Sequence, residues 1–366
     1  MAEALKNLLH PELVANMATS IKSVDRRFDA ERFFTVATRG LEQLELMQRS
    51  LQIRDALIET LASSFAEAAA VLADSLPEAD RPGLTQWMLL PVNQFVAKRG
   101  LEDFELSLAL LKKLTPHFTA EFGIRPFIHA DQERALAIIS EWVTEENHHV
   151  RRLASEGTRP RLPWAMRLPR LVEDPRPVLP ILEALLDDPE DYVRRSVANS
   201  LNDIAKDHPL LVAEFVERHM PDASDNRRTL LRHASRTLFK KGHAKALANF
   251  GFGDAAGLVC GLDVTSDDVR FGAALAFSAC IHNSATTPKQ AMVDYAIHHR
   301  KADGSLSAKV FKWKSIALAP GETKELSKMH TFRPITTRRY YPGVHRLVVL
   351  VNGAELATSD FTLVMD

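Results

Sequence analysis

Apolar residues in the first two thirds of the chain recur at intervals of three and four. Phe104, Leu108, Leu111 and Leu114 form one such stripe, and Leu136, Ile139, Trp142 and Val143 form another. This is the period of amphipathic helices laid against a core. Asp131 precedes the second stripe as an expected N-cap, with Glu133 in the first turn favoured by the helix dipole. Val150 and Leu153 belong to a further helix, for which Gly157 is the expected C-terminal stop. The plan then repeats. Val178, Ile181, Leu182 and Leu185 make one stripe, Val193, Val197, Leu201 and Ile204 the next, and Leu230, Ala234 and Leu238 close a third pair. Aligning Val150-Arg-Arg with Val193-Arg-Arg gives an offset of about 43 residues, inside the range of HEAT-like units. Residues 1–250 are therefore expected to form a solenoid of tandem helical hairpins, with second helices lining a concave face and the earliest helices capping the stack.

The pattern changes at Asn249-Phe-Gly-Phe-Gly-Asp254, after which short apolar runs alternate with turn signals. Asp303-Gly304 follows Tyr295-Ala-Ile-His-His, and Asn352-Gly353 separates Leu347-Val-Val-Leu-Val351 from Ala354-Glu-Leu-Ala357. Both dipeptides predict type I′ hairpin turns, which need positive φ at two successive residues. About seven strands over residues 251–366 predict a small immunoglobulin-like β-sandwich. The fold class is thus mainly α, a HEAT-like helical-repeat solenoid followed by a β-sandwich. Cys260 and Cys280 lie too close in sequence to be the inter-sheet pair of an antibody domain.

Composition narrows the chemistry. Two cysteines in 366 residues make neither a metal framework nor a disulfide lattice, and inert thiols in a reducing compartment are expected. His148 and His149 are adjacent, with no further ligand at metal spacing, so no metal site is expected. Trp87 and Trp142 sit in apolar helical patterns and are expected in the core. No secretion signal or membrane-length apolar run appears, and a soluble cytoplasmic protein is expected. The net charge of −1 hides local segregation. Arg151, Arg152, Arg159, Arg161, Arg167 and Arg170 stand against one acid, Glu156.

The second helix of each repeat carries a charged row beside its apolar stripe. Arg195, Asn199 and Asp203 are spaced i, i+4, i+8; the preceding repeat offers Arg152 and Glu156, and the following one Arg232, Arg236 and Lys240. Together with Arg151, Arg159, Arg161 and Arg194, these basic and polar residues are the expected contacts to a nucleic-acid backbone. The acids admit two accounts. They pair with arginines along their own helices, Arg152 with Glu156 and Arg195 with Asp203, or they meet a positive charge on the substrate. Trp164 lies in the proline-rich segment Arg159-Pro-Arg-Leu-Pro-Trp164, where it either plugs a gap between repeats or offers its π-face to a sugar or a cationic base. Arg338-Arg-Tyr-Tyr341 is either a turn that clamps a duplex or ordinary strand sequence.

Three segments carry a resemblance to a known family: Thr119-Ala-Glu-Phe-Gly-Ile-Arg-Pro-Phe127, Asn147 through Trp164, and Val193-Arg-Arg-Ser-Val-Ala-Asn-Ser-Leu-Asn-Asp203. On them the chain resembles the AlkC branch of the HEAT-like-repeat DNA glycosylases over nearly its whole length. The resemblance implies a monofunctional hydrolase that excises cationic bases, such as 3-methyladenine and 3-methylcytosine, without flipping them. By motif, Glu121, Glu156 and Asp203 would be the carboxylates, Trp164 the aromatic at the lesion's sugar, and Arg152 a DNA contact beside them. It further implies a monomer without cofactor or obligate protein partner, acting on alkylated double-stranded DNA associated with the chromosome. A cationic base needs no general acid to leave, so the expected chemistry is electrostatic. Carboxylates stabilise an oxocarbenium-like transition state and orient water. The alternatives are a non-catalytic sensor of DNA structure and a protein-binding scaffold.

Overall fold

Helix signals in the sequence turn into helices, and the N-cap expected at Asp131 forms. The computed structural model describes residues 5–336 and 338–365. Among these the chain forms sixteen α-helices and eight β-strands. It divides into two compact units, Met1–Asp207 and His208–Asp366.

In the first unit the Phe104–Leu114 stripe is a helix that buries Phe104, Leu108, Leu111 and Leu114. Asp131 caps Gln132–Glu141 by accepting from the Arg134 amide at 3.2 Å, and Trp142 is buried as expected. The Val178–Leu185 stripe makes a short 3-10 turn, Arg176–Val178, and a single-turn helix, Leu179–Ala184, because Pro177 and Pro180 remove backbone donors. The His148–Gly157 helix packs on Asp191–Ile204, and these two carry the chemistry described below.

Gly157 ends the helix as expected, but not as a left-handed cap. It is the last helical residue, with an ordinary negative φ, and Thr158 is the cap. Its lack of a side chain serves packing instead: a Cβ there would lie 2.1 Å from Ile124 Cδ1. Its carbonyl accepts from Arg125 Nη1 at 2.9 Å.

The second unit begins with four helices, Pro209–His219, Asp225–Ala234, Arg236–Lys240 and Ala244–Ala248. The third apolar stripe therefore spans two helices rather than one. The Ser235 hydroxyl at the junction donates back to the Leu231 carbonyl at 2.9 Å, a bond that competes with the helical ladder. The strands follow: β1 (Leu258–Val264), β2 (Asp268–Arg270), β3 (Ala274–Asn283), β4 (Lys289–Arg300), β5 (Leu306–Leu318), β6 (Thr323–Thr331), β7 (Gly343–Val351) and β8 (Ala354–Val364). They form sheets β1-β3-β6 and β2-β8-β7-β4-β5, antiparallel except for β2 against β8. Ile281 and Leu326 of one sheet share a core with Val293, Ile316 and Val349 of the other, which makes the assembly a sandwich.

Asn352 and Gly353 both take positive φ, 49° and 82°, as a type I′ turn requires. At Asp303-Gly304 the expectation needs correction. Only Gly304 is left-handed, and the turn is a longer one closed by the Lys301 amide on the Ser305 carbonyl at 2.8 Å. Tyr340 and Tyr341 lie outside the strands, and Tyr340 packs against Phe271 in the sandwich core. Cys260 and Cys280 are free thiols on the neighbouring strands β1 and β3.

Candidate functional site

Two helices and two turns of the first unit bring three sequence-distant carboxylates into one network. Glu121 lies in the turn before the Arg125–Ala130 helix, Glu156 in the last turn of His148–Gly157, and Asp203 near the end of Asp191–Ile204. Arginines alternate with them. Arg152 pairs with Glu121 Oε2 and reaches Glu156 Oε1 at 3.4 Å. Arg159 donates to Glu156 Oε1 at 2.6 Å and to Asp203 Oδ2 at 2.9 Å, and Lys206 meets Asp203 Oδ1 at 2.8 Å. The order is thus Glu121, Arg152, Glu156, Arg159, Asp203, Lys206, a ladder of alternating charge.

The account that pairs the acids along their own helices holds only in part. The Arg152–Glu156 pair along one helix is present, but Arg195 does not reach Asp203. Arg195 pairs with Asp191 at 2.9 Å and stays exposed, while Asp203 is buried and held by Arg159 from the neighbouring repeat. Spacing along one helix cannot reveal that exchange, because the partner arrives from 44 residues away.

Glu156 and Asp203 are only 5% and 2% exposed, and burying carboxylates this far demands full partnering. Ser196 supplies the last donor to Glu156, at 2.7 Å on Oε2, and is itself bonded to Ser155 at 2.7 Å. Burial pulls the Arg159 guanidinium down, yet Glu156 and Asp203 outweigh it and hold its pKa above the ordinary value. Arg125 is fully buried and donates to the carbonyls of Gly157, Arg159 and Met166 at 2.8–2.9 Å, closing both ends of the loop that carries Trp164. That burial, with Arg159 close by, lowers the Arg125 pKa to about 10.

Around the ladder's acidic end opens a cleft of about 310 Å³. Glu121, Glu156, Arg159 and Trp164 line it. Trp164 is 75% exposed, so it does not plug a gap between repeats. Its φ of 65° is left-handed, an outlier for a bulky residue and one that belongs to sites rather than to cores. Trp87 also lines the cleft, half-buried, with its ring 5.2 Å from that of Phe118. Its expected place in the core is corrected accordingly. Apolar periodicity alone gives no sign of which apolar face meets a cleft.

The other expected contacts separate into committed and available groups. Arg151 is bound to Asp188 at 2.6 Å, Arg194 to the carbonyls of Asp188 and Pro189 at 2.6 and 2.8 Å, and Arg161 to Asp207 at 2.7 Å. Arg152 lies over the Tyr192 ring at 4.9 Å. Arg195 is exposed and Asn199 half-buried. Arg232, Arg236 and Lys240 sit together along a separate cleft of the second unit. Among the described residues no group of three or more His, Cys, Asp or Glu is arranged to hold a metal, and no single helix is long and apolar enough to cross a membrane.

Known proteins match both the helical and the strand regions. Residues 96–238 match the model of a family described as DNA alkylation repair enzyme, and residues 258–365 match one described as the C-terminal Ig-like domain of the uncharacterised protein YhaZ. The chain is 38% identical over 360 residues to the uncharacterized protein YhaZ of Bacillus subtilis (strain 168), covering 98% of each. It is also similar to the solved structure of the Pseudomonas fluorescens alkylpurine DNA glycosylase AlkC bound to DNA containing an abasic site analog. That match has a TM-score of 0.90 and 37% identity, and covers 99% of this chain and 100% of the other.

Proposed function

The chain belongs to the AlkC family of DNA alkylation repair proteins, and on that basis we propose that it is a monofunctional DNA glycosylase for cationic N-alkylated bases. Its substrates are double-stranded DNA carrying 3-methyladenine or 3-methylcytosine, and it hydrolyses the N-glycosidic bond without rotating the base into a pocket. The observation that carries this reading is one cleft walled by Glu121, Glu156 and the exposed, left-handed Trp164.

The chemistry follows from charge. An N3-alkylated base is already a cation. When the bond from C1′ to the base nitrogen breaks, the electron pair leaves with the base and neutralises it, so no acid is needed. Positive charge then develops on the sugar, where fixed carboxylates in a partly dry site stabilise it. Water attacks C1′ and gives up one proton, for which Glu121 is the acceptor. Glu156 and Asp203 have both oxygens engaged by donors and act as fixed negative charge. Glu121 takes its donors, Thr119 and Arg152, on Oε2 alone, leaving Oε1 able to accept from water. Trp164, which lines the cleft with Trp87 and Phe118, offers a π-face to the sugar and the cationic base.

The test is release of free base from a duplex bearing one N3-methylated base, comparing the wild type with Glu156→Gln and Glu121→Gln. Wild-type release with a loss of roughly 10²–10³-fold in each variant is expected, by analogy with removal of a single preorganised electrostatic group. Intact DNA binding with no release by the wild type would overturn the reading in favour of a damage sensor.

A further inference from the structure

The second unit holds its own cleft, of about 300 Å³, which the chemistry above does not use. Arg232 and Arg236 come from the two helices on either side of Ser235, Lys240 from the second of them, and Lys312 from β5. One acid interrupts these cations. Asp294, on β4, is 8% exposed, and its Oδ1 is buried with no hydrogen-bond partner. A β-bulge stands behind its placement: Val293 pairs with Lys314 while Asp294 pairs with Lys312, so β5 carries one extra residue, Trp313. Bulges of this kind re-aim side chains. Phe239 and Met292 give the cleft an apolar wall. Arg232 is held 5.8–5.9 Å from the rings of Phe239, Phe250 and Phe252.

We propose that this cleft binds one unpaired nucleotide, its phosphate on Arg236, Lys240 and Lys312, its base against Phe239 and Met292, and an amino group of the base donating to Asp294 Oδ1. The inference rests on the proposed DNA glycosylase reading. The occupant is an undamaged nucleotide, since the lesion belongs to the cleft around Glu121 and Glu156. A bare phosphate track explains less, because a buried carboxylate repels phosphate and its Oδ1 would be left without a donor. An amine-bearing base supplies that donor, as carboxylates do accept from cytosine N4. Thymine fits worse: its one ring N–H lies between two carbonyl oxygens that face the carboxylate. The cleft is at the lower end of the size range of ligand sites, suited to a single nucleotide. Burial raises the Asp294 pKa against the opposing pull of the Trp313 amide and of Lys312 and Lys240.

The test uses the full chain. Affinity is measured for a paired duplex, for the same duplex with a single cytosine bulge and with a single thymine bulge, and for free dCMP. The wild type is expected to prefer the cytosine bulge about tenfold over both other duplexes. Asp294→Asn, nearly isosteric, should bring that ratio to about one, and the ratio cancels any general gain from removing a negative charge. Arg236→Ala, at an exposed position, should also reduce it. Binding of dCMP without a bulge preference, lost in Asp294→Asn, would support the same pocket with a free nucleotide as its source. Equal binding of all duplexes with no dCMP binding, or a preference surviving in Asp294→Asn, would overturn the proposal. Base release assayed on the same preparations keeps the two readings apart, since a bulge preference without release defeats the glycosylase reading alone.

Discussion

Trp164 combines two properties that pull in opposite directions. Its backbone is left-handed, which costs about 1–3 kcal/mol for a residue with a Cβ, and its ring stays exposed over the carboxylate cleft. Trp164→Gly removes the strain and the ring together, whereas Trp164→Ala removes only the ring. Trp164→Gly should therefore melt above Trp164→Ala in a thermal scan. Both should release base about 10–100-fold more slowly, the value of one base–aromatic contact. At this scale the sequence was informative where a motif carried the residue. Glu121, Glu156 and Trp164 were singled out and share one cleft. Trp87 and Arg125 were not, for different reasons. A half-buried wall residue has the same helical spacing as a core residue, and a guanidinium that ties loop carbonyls together leaves no pattern in the sequence.

Helix and strand periods were legible because burial imposes them locally, and the exceptions arose where packing between elements decided. Gly157 reads as a helix stop, and the helix ends there, but its missing side chain serves the contact with Ile124. On helix propensity alone, Gly157→Ala should gain about 1 kcal/mol. The overlap with a fully buried Ile124 instead predicts a net loss of about 1–3 kcal/mol in a denaturant titration, partly rescued by Ile124→Val. The sandwich carries a different kind of constraint. His330 on β6 shares a hydrogen bond of 3.0 Å with the Tyr295 hydroxyl, and burial, with Lys309 and Lys328 nearby, pushes its pKa down to about 4. The unfolded chain therefore binds the proton more readily than the folded one. This stability is present above pH 6.5 and is lost as the pH falls from there towards 4. His330→Phe should flatten this part of the pH dependence of unfolding. An unchanged slope would show that other groups carry it.

For the whole molecule, counting charges in the sequence overstates the grip on DNA. Nine arginines and lysines were candidate contacts, but Arg151, Arg152, Arg159, Arg161 and Arg194 are committed to carboxylates or carbonyls inside the first unit. Arg195, exposed although paired with the equally exposed Asp191, remains with Arg232, Arg236 and Lys240, and counterion release scales with cations that reach phosphate. The slope of log affinity against log salt should thus be about −4, against about −8 if all nine engaged. The division into units was less legible than the change from helix to strand, because the helices after His208 group with the sandwich and their periodicity does not differ from that of the helices before them.

The alternating ladder from Glu121 to Lys206 has a kinetic consequence. Neighbouring acids and bases in it neutralise one another over a few ångströms, and Glu156, Arg159 and Asp203 in its middle are buried, so mobile ions screen the interior of the ladder little. Added salt should weaken encounter with DNA while leaving the single-turnover rate of base release at saturating enzyme nearly constant. Capture and bond cleavage would then answer to separate populations of charge, one that mobile ions reach freely and one that they reach little.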